Sequence, residues 1–108
     1  MLYELRIYDA IPGKLPVLHE RFRKHTLKLF EKHGIKSVGY WTNMIGPSNR
    51  QLIYILQWDS LAQRQELWTK FATDPEWLAV RRETEKDGPL TENVTNAILE
   101  PTDYSPLH

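Results

Sequence analysis

The run Gln51-Leu-Ile-Tyr-Ile-Leu-Gln-Trp58 constrains this chain more than any other stretch. Its β-branched and aromatic content reads as a strand, and it is apolar on both alternating faces, with Leu52, Tyr54, Leu56 and Trp58 on one and Ile53 and Ile55 on the other. Neither face of such a strand can be left to water cheaply, so the fold has to cover both sides of its sheet. The preceding run, Gly39-Tyr-Trp-Thr-Asn-Met-Ile45, has the same character, and Gly46-Pro-Ser-Asn49 between the two is a turn cluster. The pair reads as an antiparallel hairpin at the centre of the sheet.

The remaining elements follow from period and punctuation. Residues 2 to 9 alternate, Tyr3, Leu5 and Ile7 against Glu4, Arg6 and Tyr8, which predicts a strand with one apolar and one mixed face. Pro12-Gly13 ends it. Leu15, Leu18, Phe22, Thr26, Leu29, Phe30 and His33 recur at helical spacing, opposite Glu20, Lys24, Lys28 and Glu31, and Gly34 supplies a left-handed stop. Ser60-Leu-Ala-Gln63 has the form of a capping box and opens a second helix carrying Leu61, Leu67, Trp68 and Phe71. Asp74-Pro75 stops that helix and starts another, with Trp77, Leu78 and Val80 as its apolar contacts and a charged end, Arg81 to Lys86, that reads as solvated. A last strand runs from about Thr91 to Glu100.

The order is β-α-β-β-α-β with a broken second helix. It predicts an α+β fold, a ferredoxin-like sandwich with both crossovers on one face of an antiparallel sheet. The helices then cover one face only. The other still carries apolar side chains of the central strand, and a second copy packed face to face is the economical cover, so the chain is expected to form a homodimer through the open sheet face, a dimeric α/β barrel. The 108 residues suffice for a single domain, with a core over about 1–101 and a tail over 102–108.

Fourteen Lys and Arg balance fourteen Asp and Glu, which disfavours nucleic acid or anionic lipid as a partner. No apolar run approaches the ~20 residues of a membrane span, and there is no Cys for disulfide or thiolate metal chemistry. The start Met-Leu-Tyr-Glu-Leu-Arg shows no apolar leader, so the expected compartment is the cytoplasm.

Tyr3-Glu4-Leu5-Arg6-x-Tyr8 with Pro12-Gly13-Lys14, Gly39-x-Trp41, Gly46-Pro47-x-Asn49, Trp58, Arg64, Asp74-Pro75-x-Trp77 and Ile98-Leu99-x-Pro101 occur in an order that resembles the NIPSNAP family over nearly the whole chain. The resemblance implies a dimeric α/β-barrel fold shared with small monooxygenases, ethyl-tertiary-butyl-ether degradation proteins and stress-responsive barrel proteins. It implies no settled reaction and no catalytic set that can be carried over.

The residues themselves offer a binding constellation. Arg6 and Tyr8 share the mixed face of the first strand, where Arg can orient a carboxylate or enolate, or can form an ion pair within the sheet. Trp41 and Asn43 share a face of the second strand, as a platform and amide donor for an aromatic substrate or as plain packing. His25 falls at the edge of the helical stripe, as a base or as a hydrogen-bonded core histidine, and Tyr54 lies on the central strand. The expected ligand-binding set is therefore Arg6, Tyr8, His25, Trp41, Asn43 and Tyr54, where a mixed strand face meets the first helix. The histidines lack the i, i+4 spacing of a metal pair, and no metal or cofactor is expected. The leading reading is a small-molecule binding protein of undefined activity, with the ligand, apolar or aromatic, between helices and sheet. The alternative is a cofactor-independent monooxygenase or isomerase acting on an aromatic or polyketide-like substrate.

Overall fold

The computed structural model describes residues 1–108. Strand β1 (Leu2–Ala10) leads through Gly13, held at φ +84°, into a helical stretch made of α1 (Leu15–Arg21), one π turn (Phe22–Thr26) and α2 (Leu27–Lys32) without interruption. Then come β2 (Lys36–Thr42), β3 (Gln51–Trp58), α3 (Leu61–Ala72), α4 (Pro75–Thr84) and β4 (Thr91–Leu99). The four strands form one antiparallel sheet in the order β2-β3-β1-β4, the ferredoxin-like arrangement that the element order predicts.

The helix ends follow local chemistry. Gly34, at φ +73°, closes α2 in the left-handed conformation. The Ser60 hydroxyl accepts from the Gln63 amide at 3.0 Å, and the Gln63 side chain reaches back to the Asp59 amide at 2.6 Å, a capping box displaced by one residue. Asp74 caps α4 through Oδ1, 2.8 Å from the Glu76 amide, while its Oδ2 takes Lys32 Nζ at 2.8 Å and lies 2.6 Å from His33 Nε2. One carboxylate thus ties the end of α2 to the start of α4.

The π turn has a cause in the spacing. Leu18, Phe22, Thr26 and Phe30 are all buried and stand four residues apart. In a regular α-helix each such step drifts about 40° around the axis, so the last would sit about 120° from the first. One extra residue in the turn absorbs the drift, with the Leu27 amide donating to the Phe22 carbonyl and Thr26 Oγ1 donating to the Arg21 carbonyl at 3.4 Å. Arg21, the last residue of α1 before this turn, is buried as well.

Pairing fixes which side chains meet the helices. Arg6 lies opposite Tyr54 and Asn96, Glu4 opposite Leu56 and Ile98, and Tyr8 opposite Leu52 and Val94, so these share the helix-covered face. There Leu52, Tyr54, Leu56 and Trp58 pack with Leu18, Phe22, Leu29, Phe30 and Phe71, each large side chain adding about 1.5–3 kcal/mol by burial. The opposite face carries Leu5, Ile7, Ile53 and Ile55, all half-buried, with Trp41 beside Ile53 and Ala97 beside Leu5. No helix of the chain is long and apolar enough to cross a membrane.

One boundary differs from expectation. Strand β2 ends at Thr42, and Asn43 opens a loop in which Met44 and Ile45 are 98% and 95% exposed. Asn43 Nδ2 donates to the Ser48 carbonyl at 2.7 Å and to Gln51 Oε1 at 2.8 Å, which folds the loop on itself before the strand can continue. Gly46 sits so close that a Cβ there would meet the Asn43 side chain at 2.6 Å.

Candidate functional site

Beneath the helices a cavity of about 290 Å³ opens against β1, its walls supplied by Phe22, Phe30, Trp68, Phe71, Trp77 and Val94. The rings of the apolar part of the wall pack on one another, Phe22 with Tyr54 at 5.4 Å and Phe30 with Phe71 at 5.0 Å edge to face, and Phe71 tilted on Trp77 at 4.8 Å. Into it reach Arg6, Tyr8, Thr26, Arg21, Arg81 and Glu85.

The polar floor is organised by Glu4, which is fully buried. Its carboxylate accepts from Arg64 Nε and Nη2 at 2.7 and 3.0 Å, from Arg6 Nη1 at 2.9 Å, from the Trp58 indole at 3.0 Å and from Asn96 Nδ2 at 3.0 Å. Burial alone would raise the Glu4 pKa, but the hydrogen bonds from Arg64, Asn96 and Arg6 prevail and hold it at about 2. Arg6 is pinned in turn: its guanidinium lies 4.5 Å from the centre of the Trp68 ring, and its Nε donates to Tyr54 Oη at 2.8 Å.

Proton placement follows from these contacts. Tyr54 is wholly buried, and burial together with the neighbouring Tyr8 pushes its phenol well above the ordinary range, so it keeps its proton. Its oxygen already accepts from Arg6, and the one acceptor in reach of its own proton is Tyr8 Oη, 2.9 Å away. Satisfying this buried hydroxyl assigns its proton to Tyr8, an assignment that would leave the Tyr8 proton free to point at a cavity occupant. Arg6 and Tyr8 together offer a fixed cation and a fixed donor, an arrangement suited to an oxygen that is or becomes negative.

A second polar group stands on the helical side. Arg21 Nη1 donates to Glu85 Oε2 at 3.1 Å and to Thr84 Oγ1 at 3.3 Å, and its guanidinium lies 5.2 Å from the centre of the Trp77 ring. Arg81 Nε shares the same Glu85 oxygen at 3.2 Å.

Of the six residues the sequence nominates, the structure brings together Arg6, Tyr8 and Tyr54 and separates the other three. His25 is exposed, because it sits in the π turn, where the wider winding carries it away from the stripe of Phe22 and Leu29. Trp41 pairs with Ile53 rather than Tyr54 and so belongs to the open face, where its ring folds over Gly39. Asn43 is spent on its own loop. Sequence reading missed Arg21, Trp68, Arg81 and Glu85 as cavity residues and favoured Trp77 as a plug of the core over a residue at a cleft; no spacing in the sequence marks Arg21. The end of α4 is not merely solvated, since Glu85 is half-buried against Arg21.

A family model described as NIPSNAP matches residues 3–106. The chain belongs to the NIPSNAP family. Protein NipSnap homolog 3A of Pongo abelii and of Homo sapiens are each 32% identical to it over 77 residues, 71% of this chain and 30% of theirs, so the chain spans under a third of the length of these curated NIPSNAP relatives. A solved NIPSNAP family protein from Agrobacterium tumefaciens superposes with a TM-score of 0.88 at 32% identity, over 99% of this chain and 98% of that one. A Nitrosomonas europaea protein assigned as an antibiotic biosynthesis monooxygenase superposes with a TM-score of 0.66 at 11% identity, over 94% and 98% of the two chains, which shows that the NIPSNAP fold here is shared with that group and nothing about its reaction.

Proposed function

We propose that this NIPSNAP protein binds a small, largely aromatic molecule between its sheet and its helices, and that it does so as a homodimer built through the open sheet face. The observation that carries the binding reading is the cavity of about 290 Å³, apolar and aromatic on its walls, with Arg6, Tyr8 and Arg21 converging in it. That volume is at the lower end for ligand sites and suits a body of one or two rings. The dimer reading is supported by the row of Leu5, Ile7, Ile53 and Ile55, which runs across the two central strands with no charged side chain inside it and no helix over it.

The test uses neutral probes, 2-naphthol and naphthalene-1,4-diol, titrated into the protein while the Trp68 and Trp77 indole resonances are followed by NMR. Saturable shifts at those indoles support the reading; the absence of any shift up to the solubility limit, with these probes and with 2-naphthoate and 2-naphthamide alike, overturns it. Ala72→Phe, which places a ring in the cavity, should abolish the shifts without loss of fold.

A second reading is catalytic, a cofactor-independent monooxygenase or isomerase acting on an aromatic or polyketide-like substrate. It is favoured by the paired cation and outward-pointing hydroxyl of Arg6 and Tyr8, which would stabilise an enolate oxygen. Oxygen uptake or product formation with any bound probe separates it from simple binding.

A further inference from the structure

We infer that the molecule held in this cavity carries a carboxylate, and that Arg21 receives it side-on. This deepens the binding reading above and rests on it. Arg21 is over nine-tenths buried, yet only its Nη1 is hydrogen bonded, and its buried Nε–H has no partner at all. Nε and Nη2 form the edge of a guanidinium that presents two parallel N–H bonds, the edge that grips a carboxylate in bidentate fashion. The chain shows what that edge does when it is filled: Arg64 spends the same two nitrogens on the two oxygens of Glu4, at 2.7 and 3.0 Å. On Arg21 the corresponding edge makes no hydrogen bond, within a residue that lines an aromatic cavity; its Nε is enclosed, so side-on capture turns the guanidinium edge toward the cavity.

Charge points the same way. Glu85 is shared between Arg21 and Arg81, and Glu4 between Arg6 and Arg64, so each cluster holds two guanidinium groups against one carboxylate. An unpaired donor on a buried cation is costly, and burial does weaken the Arg21 guanidinium relative to its ordinary value. An incoming carboxylate satisfies the free edge and cancels one excess charge at once, while its aromatic body meets Phe22, Trp68 and Trp77. Arg21 stands immediately before the π turn that begins at Phe22, and such turns recur at functional sites.

The test compares 2-naphthoate with its uncharged isostere 2-naphthamide by NMR titration at pH 7. The acid is expected to bind at least tenfold more tightly than the amide, and Arg21→Gln and Arg21→Lys should each bring the two within about twofold by weakening the acid far more than the amide, since lysine retains the charge but not the fork. Glu85→Gln, which removes the competing carboxylate, should tighten the acid severalfold and serves if the Arg21 variants do not fold. Equal affinity of acid and amide in the unaltered protein overturns this inference and leaves the cavity reading standing. A preference that persists in both Arg21 variants overturns the assignment to Arg21. Failure of acid, amide and 2-naphthol alike overturns both readings.

Discussion

Arg64 closes side-on over the carboxylate of Glu4, Nε to Oε1 at 2.7 Å and Nη2 to Oε2 at 3.0 Å, although the two residues lie 60 positions apart in the chain. The pair joins the first strand to the middle helical region, and through Arg6 it fixes one wall of the cavity. Glu4→Gln keeps the shape but removes the charge, leaving the buried Arg6 and the half-buried Arg64 facing an amide. The expected loss is about 3–5 kcal/mol, the usual cost of breaking a buried ion pair from one side. Urea unfolding checks it, and a loss below 1 kcal/mol would show that Glu4 is not the organising group.

Acid stability follows from the same carboxylate. Glu4 is depressed from 4.5 to about 2, so its contribution is fully present above pH 4.5 and is lost as pH falls from there through 2. The stake is about 3 kcal/mol. Asp74, held down chiefly by its hydrogen bond from Lys32 and then by His33, acts in the same direction. Urea midpoints measured at pH 7, 4.5 and 3 should be lowest at pH 3, with a shallower profile for Glu4→Gln. A flat profile from pH 7 to 3 would contradict the assignment.

Much of this architecture is legible in the sequence because it is written in short periods. Strand β3 announces itself by having no polar face, Ser60 and Gln63 mark a helix start, and Arg6 and Tyr8 are placed on one face by simple alternation. That Tyr54 joins them depends on register, which sets Arg6 opposite Tyr54 and only the folded sheet supplies. His25 and Arg21 show why the helical side was harder to read. Helical periodicity puts His25 at the edge of the core and Arg21 among charged neighbours; in the fold His25, within the π turn, is exposed and Arg21, just before it, is buried. Trp41 and Asn43 depend likewise on where β2 pairs and where it stops, which no alternation pattern within the strand itself decides.

The open sheet face gives a prediction about assembly. Ile53 and Ile55 alternate on the same face and both are half-buried in the single chain, so neither is needed against the helices. Ile53→Lys and Ile55→Lys should each convert a dimer at micromolar concentration to monomer while circular dichroism stays unchanged, because an unpaired charge in an apolar interface is costly. Sedimentation velocity reads the outcome. A monomeric parent protein, or variants that remain dimeric, would place the interface elsewhere or remove it.

The hydroxyls of Tyr54 and Tyr8 lie 2.9 Å apart. If Tyr54 donates to Tyr8, then Tyr8→Phe strands a wholly buried hydroxyl proton and costs about 1–3 kcal/mol, the penalty of an unsatisfied buried donor. Tyr54→Phe costs a similar amount by a different route, since it deprives Arg6 Nε of its acceptor. In the double variant the stranded Tyr54 proton no longer exists, so the loss should fall short of the sum of the single losses by about 1 kcal/mol or more. Additive losses would mean that the two hydroxyls do not share a proton in the folded protein. Binding supplies an independent readout, because the Tyr8 proton is the one directed at the cavity: Tyr8→Phe should weaken an oxygen-bearing probe such as 2-naphthol relative to naphthalene, whereas Tyr54→Phe, which leaves the Tyr8 hydroxyl in place, should weaken it less.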